Sequence, residues 1–171
     1  MDTFSLDYLN HTTQDEFVDA LGDLFEHSPW VAVNSYPQRP FASLEALHAA
    51  LVKSVAEATT EQQLALIRAH PDLAGKAARA GDLTHDSSRE QAGAGLNRLT
   101  EEEYERFHHL NETYKAKFDF PFIVAVRGHT KDSILASFEE RLGNELAAER
   151  QRALAEIAKI ARFRLEERLG G

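Results

Sequence analysis

The sequence of 171 residues contains no cysteine. Disulfides, thiolate nucleophiles, zinc fingers and iron–sulfur clusters are therefore excluded as a basis for its function. Basic residues are in the minority, with 19 Lys+Arg against 28 Asp+Glu and a formal net charge of −9. Nucleic-acid binding needs a basic surface that neutralises phosphates, and this composition argues against a nucleic-acid partner.

Long apolar runs are also missing. No apolar stretch approaches the roughly 20 residues that a bilayer-spanning helix needs, so we expect no membrane segment. Residues 1–10 lack the basic and apolar regions of a secretory signal, which leads us to expect a cytoplasmic protein. The length predicts a single domain over residues 1–171, which buries roughly 70% of its unfolded surface without cross-links.

Proline is confined to five positions, and the long stretches between them carry apolar residues at helical spacing. Helix starts are predicted at residues able to cap an N-terminus: Thr13, Ser43, Thr60, Ser87, Thr100 and Thr130. A short helix is expected over residues 72–79 and a long last helix over residues 145–169. The pattern predicts an all-α bundle of about eight helices.

Two stretches depart from this helical pattern. Residues 120–126, with the sequence FPFIVAV, are apolar and β-branched, so we predict one short buried extended segment there. Residues 28–40 contain three of the prolines and are predicted to be the longest loop.

The first candidate for chemistry is His70, which is followed directly by Pro71. The proline ends the preceding helix, so His70 lies at a junction between two elements that can aim its side chain. Such a position suits a proton donor or acceptor. Alternatively, the helix dipole alone favours a histidine at a helix C-terminus.

The second candidate segment is residues 87–96, SSREQAGAGL. Ser87 and Glu90 form a capping-box pattern, and capping of a helix is by itself a sufficient structural explanation for these two residues. However, Gly93 and Gly95 would each cost up to about 1 kcal/mol inside a helix, which indicates close approach of another backbone or a ligand. The helix N-terminus itself offers N–H groups to a small anion or a carbonyl.

The third candidate is the extended segment, because its backbone N–H and C=O groups need partners. A flat heterocycle with amide-like edges can supply them, and so can neighbouring loops or water. In the last helix, Arg164 lies on the apolar face, where a buried guanidinium needs an anionic partner. That partner is either an internal carboxylate or a substrate carboxylate, unless the side chain reaches solvent at the helix end.

Metal-binding patterns are absent from the sequence. Adjacent residues on a helix point about 100° apart, so His108 and His109 cannot share a metal on one face. No HExxH or facial-triad spacing occurs among the eight histidines. No metal site is therefore predicted.

In their order and spacing, three segments closely resemble the OHCU decarboxylases (2-oxo-4-hydroxy-4-carboxy-5-ureidoimidazoline decarboxylases): HPDLAGK at 70–76, SSREQAGAGL at 87–96 and FPFIVAVRG at 120–128. The resemblance implies an all-helical carboxy-lyase of uric acid degradation without cofactors, usually a homodimer, which converts a small-molecule substrate to S-allantoin. Electrons released with CO2 can move into the substrate's own C=N bond, so no external electron sink is required.

The resemblance also implies roles for individual residues. His70 matches the catalytic histidine, Glu90 a second catalytic group and Arg164 a catalytic arginine near the C-terminus. Substrate-binding roles are implied for Pro71, Ser87, Ser88, Arg89, Glu90, Gln91, Phe122, Ile123, Val124, Ala125 and Val126.

Two other classes of protein stay open. A metal-dependent small-molecule hydrolase would use His70, Asp72 and a further histidine that the fold brings close. A non-catalytic helical adaptor would instead use residues 30–41 as its contact surface.

Overall fold

The computed structural model describes residues 4–74 and 83–169. In this part of the chain there are nine α-helices, one 3-10 turn and no strand, which confirms the all-α prediction. The helices are α1 (Leu6–His11), α2 (Gln14–Leu21), α3 (Trp30–Ser35), α4 (Leu44–Ala56), α5 (Thr60–Arg68), α6 (His85–Gly93), α7 (Glu101–Phe118), α8 (Lys131–Arg141) and α9 (Leu146–Arg168). No helix within these residues is both long and apolar enough to cross a membrane.

Four predicted helix starts are confirmed. The side-chain oxygens of Thr13, Ser43, Thr100 and Thr130 each accept a hydrogen bond from a backbone N–H in the first turn of their helix. This bond satisfies one of the N–H groups that a helix leaves unpaired at its start. These starts are read correctly because capping involves residues only three positions apart.

Two other predicted caps are wrong. Thr59, not Thr60, caps α5, with Gln62 completing the capping box. Thr84, not Ser87, caps α6, and Ser87 lies inside the first turn as the donor to Thr84. In both places consecutive capping patterns overlap in the sequence, and the choice between them depends on where the backbone turns.

The predicted loop over residues 28–40 is wrong. It contains α3 and the 3-10 turn Tyr36–Gln38. The fixed φ of Pro29 suits the start of a helix, and α3 buries Val31, Ala32 and Ser35. The helix predicted over residues 72–79 has not begun by residue 74, and the rest of that range lies outside the described residues.

The chain divides into two compact units. Unit 1 comprises residues 1–69 and 158–171, and unit 2 comprises residues 70–157, so the unit boundary falls within α9. Unit 1 has its own apolar core, which includes Phe17, Leu47 and Leu165. The single domain over residues 1–171 stays a prediction.

Unit 2 has a core of aromatic side chains packed around Tyr114 of α7. The Tyr114 ring meets those of Phe118, Phe120, Phe122 and Phe138, with centroids 4.5 to 6.2 Å apart. Phe122 also stacks on Phe138 with centroids 3.8 Å apart. Phe120 and Phe122 belong to residues 120–126, which are buried and contain no helix, as the sequence predicts.

Candidate active site

His70 lies at the junction predicted from the sequence. Helix α5 ends at Arg68, with Ala69 as its C-cap, and the half-buried His70 follows immediately. Pro71 then leads into a turn that reaches Ala74, whose φ of 52° lies in the left-handed region. Because residues 70–74 form no helix, their backbone N–H and C=O groups need hydrogen-bond partners from other parts of the chain.

Two buried amides bind the backbone of this segment. Gln91 of α6 accepts a 2.8 Å hydrogen bond from the Ala74 N–H and donates a 3.4 Å bond to the Asp72 carbonyl. Asn111 of α7 donates a 2.9 Å hydrogen bond to the Leu73 carbonyl. Three consecutive residues after Pro71 are thus bound from two helices of unit 2.

Lys115 of α7 adds an ion pair to the same segment. Its Nζ lies 2.8 Å from the Asp72 carboxylate and 3.2 Å from that of Glu112. Partial burial lowers the pKa of Lys115, but hydrogen bonds and charge attraction from the two carboxylates outweigh this, and its pKa is raised. The ammonium is therefore charged throughout the physiological range.

Sequence reasoning missed Asn111 and Lys115 as neighbours of the His70 segment. One signal was available for Asn111, because it interrupts the apolar stripe of Phe107, Tyr114 and Phe118 on α7. A polar residue at a buried helical position needs a hydrogen-bond partner. The identity of that partner, 38 positions away, depends on the tertiary structure.

Helix α6 distributes the predicted residues 87–91 over different faces. Ser87 and Gln91 are four positions apart and both buried, whereas Ser88 and Arg89 are exposed. Arg89 pairs with Asp86 at 3.1 Å, and Glu90 is half-buried. Gln91 joins this group to the His70 segment through its hydrogen bonds to Ala74 and Asp72.

The two glycines after this segment have different explanations. Gly93 is the last residue of α6, and no described atom lies within 4 Å of a Cβ built there. Gly95 follows the helix with φ +80°, a conformation that side chains with a Cβ rarely adopt. Among the described residues, the expected close approach to these glycines is therefore not found.

The extended segment is bound at three backbone groups. Arg141 of α8 donates a 2.6 Å hydrogen bond to the Ile123 carbonyl, and Glu156 of α9 accepts one of 3.0 Å from the Ala125 N–H. The carbonyl of Val126 accepts a 2.9 Å bond from the His129 N–H. These contacts supply some of the hydrogen-bond partners that the backbone N–H and C=O groups of an extended segment need.

Arg141 belongs to a buried polar cluster beneath the segment. Its Nε lies 2.7 Å from the Glu149 carboxylate, and the two side chains are 1% and 0% exposed. Tyr114 donates a 2.5 Å hydrogen bond to the same carboxylate, and Asn144 donates one of 2.9 Å. Burial, together with this bond to Glu149, raises the pKa of Tyr114 far above its usual value.

Arg164 lies in unit 1 and is buried, as its position on the apolar face predicts. Its Nη2 donates a 2.9 Å hydrogen bond to Glu26, and its Nη1 donates one of 3.3 Å to the Leu24 carbonyl. Of the two anionic partners considered from the sequence, the internal carboxylate is present. A catalytic role for Arg164 stays a prediction.

A metal centre is not evident in the described ranges 4–74 and 83–169. No group of three or more histidine, aspartate or glutamate side chains there is arranged to hold a metal ion.

The helical fold matches solved enzymes. The crystal structure of an (S)-allantoin synthase superposes with a TM-score of 0.75 at 30% identity, covering 97% of this chain and 54% of that chain. This chain therefore spans about half the length of that synthase. A crystal structure of OHCU decarboxylase in the presence of (S)-allantoin has a TM-score of 0.68 at 22% identity, which supports the shared fold.

Comparison of the sequence with known families and proteins indicates the same class of protein as the solved structures, a helical lyase. The family model for OHCU decarboxylase matches residues 10–166. A 2-oxo-4-hydroxy-4-carboxy-5-ureidoimidazoline decarboxylase of Haloferax volcanii is 42% identical over 168 residues, which are 98% of each chain. A uric acid degradation bifunctional protein of Bacillus subtilis is 46% identical over 96% of this chain and 32% of its own length. This chain belongs to the OHCU decarboxylase family.

Proposed function

We propose that this protein decarboxylates 2-oxo-4-hydroxy-4-carboxy-5-ureidoimidazoline to (S)-allantoin in uric acid degradation. The observation that carries the proposal is the 42% identity to the Haloferax volcanii decarboxylase over nearly the full length of both chains. The name of the aligned (S)-allantoin synthase supports the same product and its handedness.

The proposed reaction needs little covalent chemistry from the protein. The bond between the ring carbon and its carboxylate breaks and CO2 leaves. The released electron pair forms a C=C bond to the neighbouring ureido-bearing carbon, while the π pair of the C=N bond moves to the nitrogen, which takes up a proton. The hydroxyl on the carbon that lost CO2 then becomes a carbonyl as its O–H proton is released, and a proton adds to one face of the ureido-bearing carbon, which sets the handedness of the product. The protein has to orient the carboxylate out of the ring plane and direct that proton.

His70 is proposed as the proton donor, with Glu90 beside the substrate carboxylate. Both belong to unit 2, and Gln91, which follows Glu90, binds the backbone that follows His70. A carboxylate near the departing carboxylate disfavours the charged ground state or orients the histidine. The other positions on α6 and Pro71 are proposed to contact the ureido and ring polar groups. A contribution from Arg164 is proposed on the resemblance alone.

Residues 122–126 are proposed to hold the heterocycle through their backbone. Their side chains are buried, and they form a non-helical apolar stretch of unit 2. Amide-like edges of a ureidoimidazoline are complementary to free backbone N–H and C=O groups. The electron sink lies within the substrate, so we propose no cofactor.

The decisive experiment compares His70→Asn with wild type on freshly prepared substrate. Circular dichroism of the allantoin is the readout, because the spontaneous reaction gives a racemate. We expect the rate of (S)-allantoin formation to fall roughly 100- to 10,000-fold, as for loss of a general acid. His109→Asn, at an exposed histidine of α7, is the matched control and should keep the wild-type rate.

An unchanged rate in the His70→Asn variant would remove His70 from the mechanism. Absence of any optically active product from wild type would reject the decarboxylase function itself. Activity that disappears on exhaustive chelation and returns with metal would favour the metal-dependent alternative.

The assembly and location are also proposals. A homodimer is proposed from the family resemblance, and sedimentation velocity would test it by giving a mass near twice 19.2 kDa. A cytoplasmic location is proposed from the similarity to enzymes of small-molecule metabolism, and fractionation of cells that produce the protein would test it.

A further inference from the structure

The backbone of residues 122–126 has two chemically different edges. In extended backbone the N–H and C=O of one residue point to the same edge, and those of the next residue point to the opposite edge. Ile123 and Ala125 therefore share one edge, while Phe122, Val124 and Val126 share the other.

The first edge is held by two charged side chains. Arg141 donates to the Ile123 carbonyl at 2.6 Å, and Glu156 accepts from the Ala125 N–H at 3.0 Å. Both side chains are almost completely buried, and they come from different helices, α8 and α9. Hydrogen bonds with one charged partner are stronger and more directional than neutral ones, so this edge is fixed in two places.

The second edge is largely unpaired among the described residues. No hydrogen bond there involves the backbone N–H or C=O of Phe122 or Val124, or the N–H of Val126. Val124 is nevertheless only 4% exposed. Buried backbone groups are nearly always paired, so this edge is expected to take partners from a bound molecule or ordered water.

The cluster around Arg141 makes its position rigid. Glu149 binds the Arg141 Nε, and the guanidinium lies over the Phe122 ring with its carbon 4.3 Å from the centroid. The planar guanidinium therefore orients both the Phe122 ring and the Ile123 carbonyl. Glu156 is held in turn by Arg152, at 3.2 Å.

From this geometry we propose that Arg141 and Glu156 are positioning residues. They bind one edge of the extended segment so that the opposite edge, centred on Val124, is presented to the heterocyclic substrate in a fixed register. They act through the backbone of Ile123 and Ala125 and do not touch the substrate. This inference rests on the proposed function.

The test uses two variants of Glu156 that separate its length from its charge. Glu156→Gln keeps an acceptor oxygen at the same reach but removes the charge. Glu156→Asp keeps the charge but withdraws the oxygen by one methylene from the Ala125 N–H. We expect KM to rise about tenfold in the Asp variant, the equivalent of one lost hydrogen bond, and to stay within about twofold of wild type in the Gln variant.

Glu140→Gln is the matched control, because it makes the same kind of substitution at an exposed glutamate of α8 that does not contact the segment. It should leave KM unchanged. A second readout is hydrogen exchange of the 15N-labelled Ala125 amide, which should be faster in the Asp variant and near wild type in the Gln variant. The optical purity of allantoin should fall in the Asp variant, since a shifted ring receives the proton less selectively.

Three results would overturn the proposal: equal KM in Glu156→Asp and wild type, a KM that rises more in Glu156→Gln than in Glu156→Asp, or a fall in kcat alone that matches the loss of folded protein. Each of these requires an active wild type. An inactive wild type would instead reject the proposed function, and the two failures are therefore distinguishable.

Discussion

Arg164 and Glu26 are 138 positions apart in the chain, yet a 2.9 Å hydrogen bond joins their side chains. Each side chain is 2% exposed. A buried charge is tolerated where an opposite charge and further hydrogen bonds accompany it, and the Leu24 carbonyl supplies one such bond to Arg164. The Glu26 carboxylate therefore helps to hold the Arg164 side chain in its buried position in unit 1.

Removal of Glu26 should strongly destabilise the protein. Glu26→Ala removes a buried carboxylate that pairs with the Arg164 guanidinium, and we expect the free energy of unfolding to fall by about 3–5 kcal/mol. Urea denaturation measures the change. Glu45→Ala is the control, because Glu45 pairs with Arg162 at an exposed position. Equal denaturation midpoints for the two variants would contradict the prediction.

Gln91 forms two hydrogen bonds with the backbone that follows His70, and their removal should lower the catalytic rate. Gln91→Leu leaves the buried Ala74 N–H and Asp72 carbonyl without this partner, so the His70 segment should shift. We expect kcat to fall about tenfold or more, because small misplacements of a catalytic group are costly. Steady-state kinetics of allantoin formation measures it.

The comparison for Gln91 is with two further variants. Gln91→Glu keeps an acceptor for the Ala74 N–H and should retain more activity than Gln91→Leu. Gln151→Leu, at an exposed glutamine of α9, should leave the kinetics unchanged. A rise in KM without a change in kcat would indicate that Gln91 acts by substrate binding.

The raised pKa of Tyr114 predicts that the protein loses stability at alkaline pH. Its folded-state pKa is raised by burial and by the bond to Glu149, so the folded state keeps the proton above the usual pKa of about 10. The contribution of the phenol is fully present below that value and is lost as the pH rises toward the folded pKa. By pH 11 the advantage of wild type over Tyr114→Phe should shrink by about 1.4 kcal/mol relative to neutral pH.

Denaturant unfolding of both proteins at neutral pH and at pH 11 measures this difference. Tyr114→Phe keeps the ring packing, so the comparison isolates the hydroxyl. A gap that stays constant with pH would show that Tyr114 has an ordinary pKa in the folded state.

Substitution by alanine should have opposite effects on stability at Gly93 and at Gly95. Gly93 ends α6 with open space around its Cβ position, so Gly93→Ala should stabilise by roughly 0.5–1 kcal/mol. Gly95 has φ +80°, so Gly95→Ala should destabilise by about 1 kcal/mol. Thermal unfolding measures both changes. Destabilisation by Gly93→Ala would indicate a neighbour or ligand close to that position.

Local features of this protein follow from its sequence. The caps at Thr13, Ser43, Thr100 and Thr130, and the buried non-helical stretch at residues 120–126, depend on interactions over a few positions. The position of His70 at a helix end follows from Pro71, because a proline removes a helical donor and restricts its predecessor. Helix α3 was missed since burial of Val31 and Ala32, rather than local pattern, stabilises it.

The sequence by itself determined the all-α class, the helix-end histidine and the family, because these are recorded in local patterns and in the order of three segments. The tertiary structure alone decided which side chains hold those segments. Asn111 and Arg141, each on a helix, bind the non-helical residues Leu73 and Ile123, and Glu26 is a partner of Arg164. Such pairs form because buried polar groups must find complementary groups, and chain folding, rather than spacing in the sequence, brings them within reach.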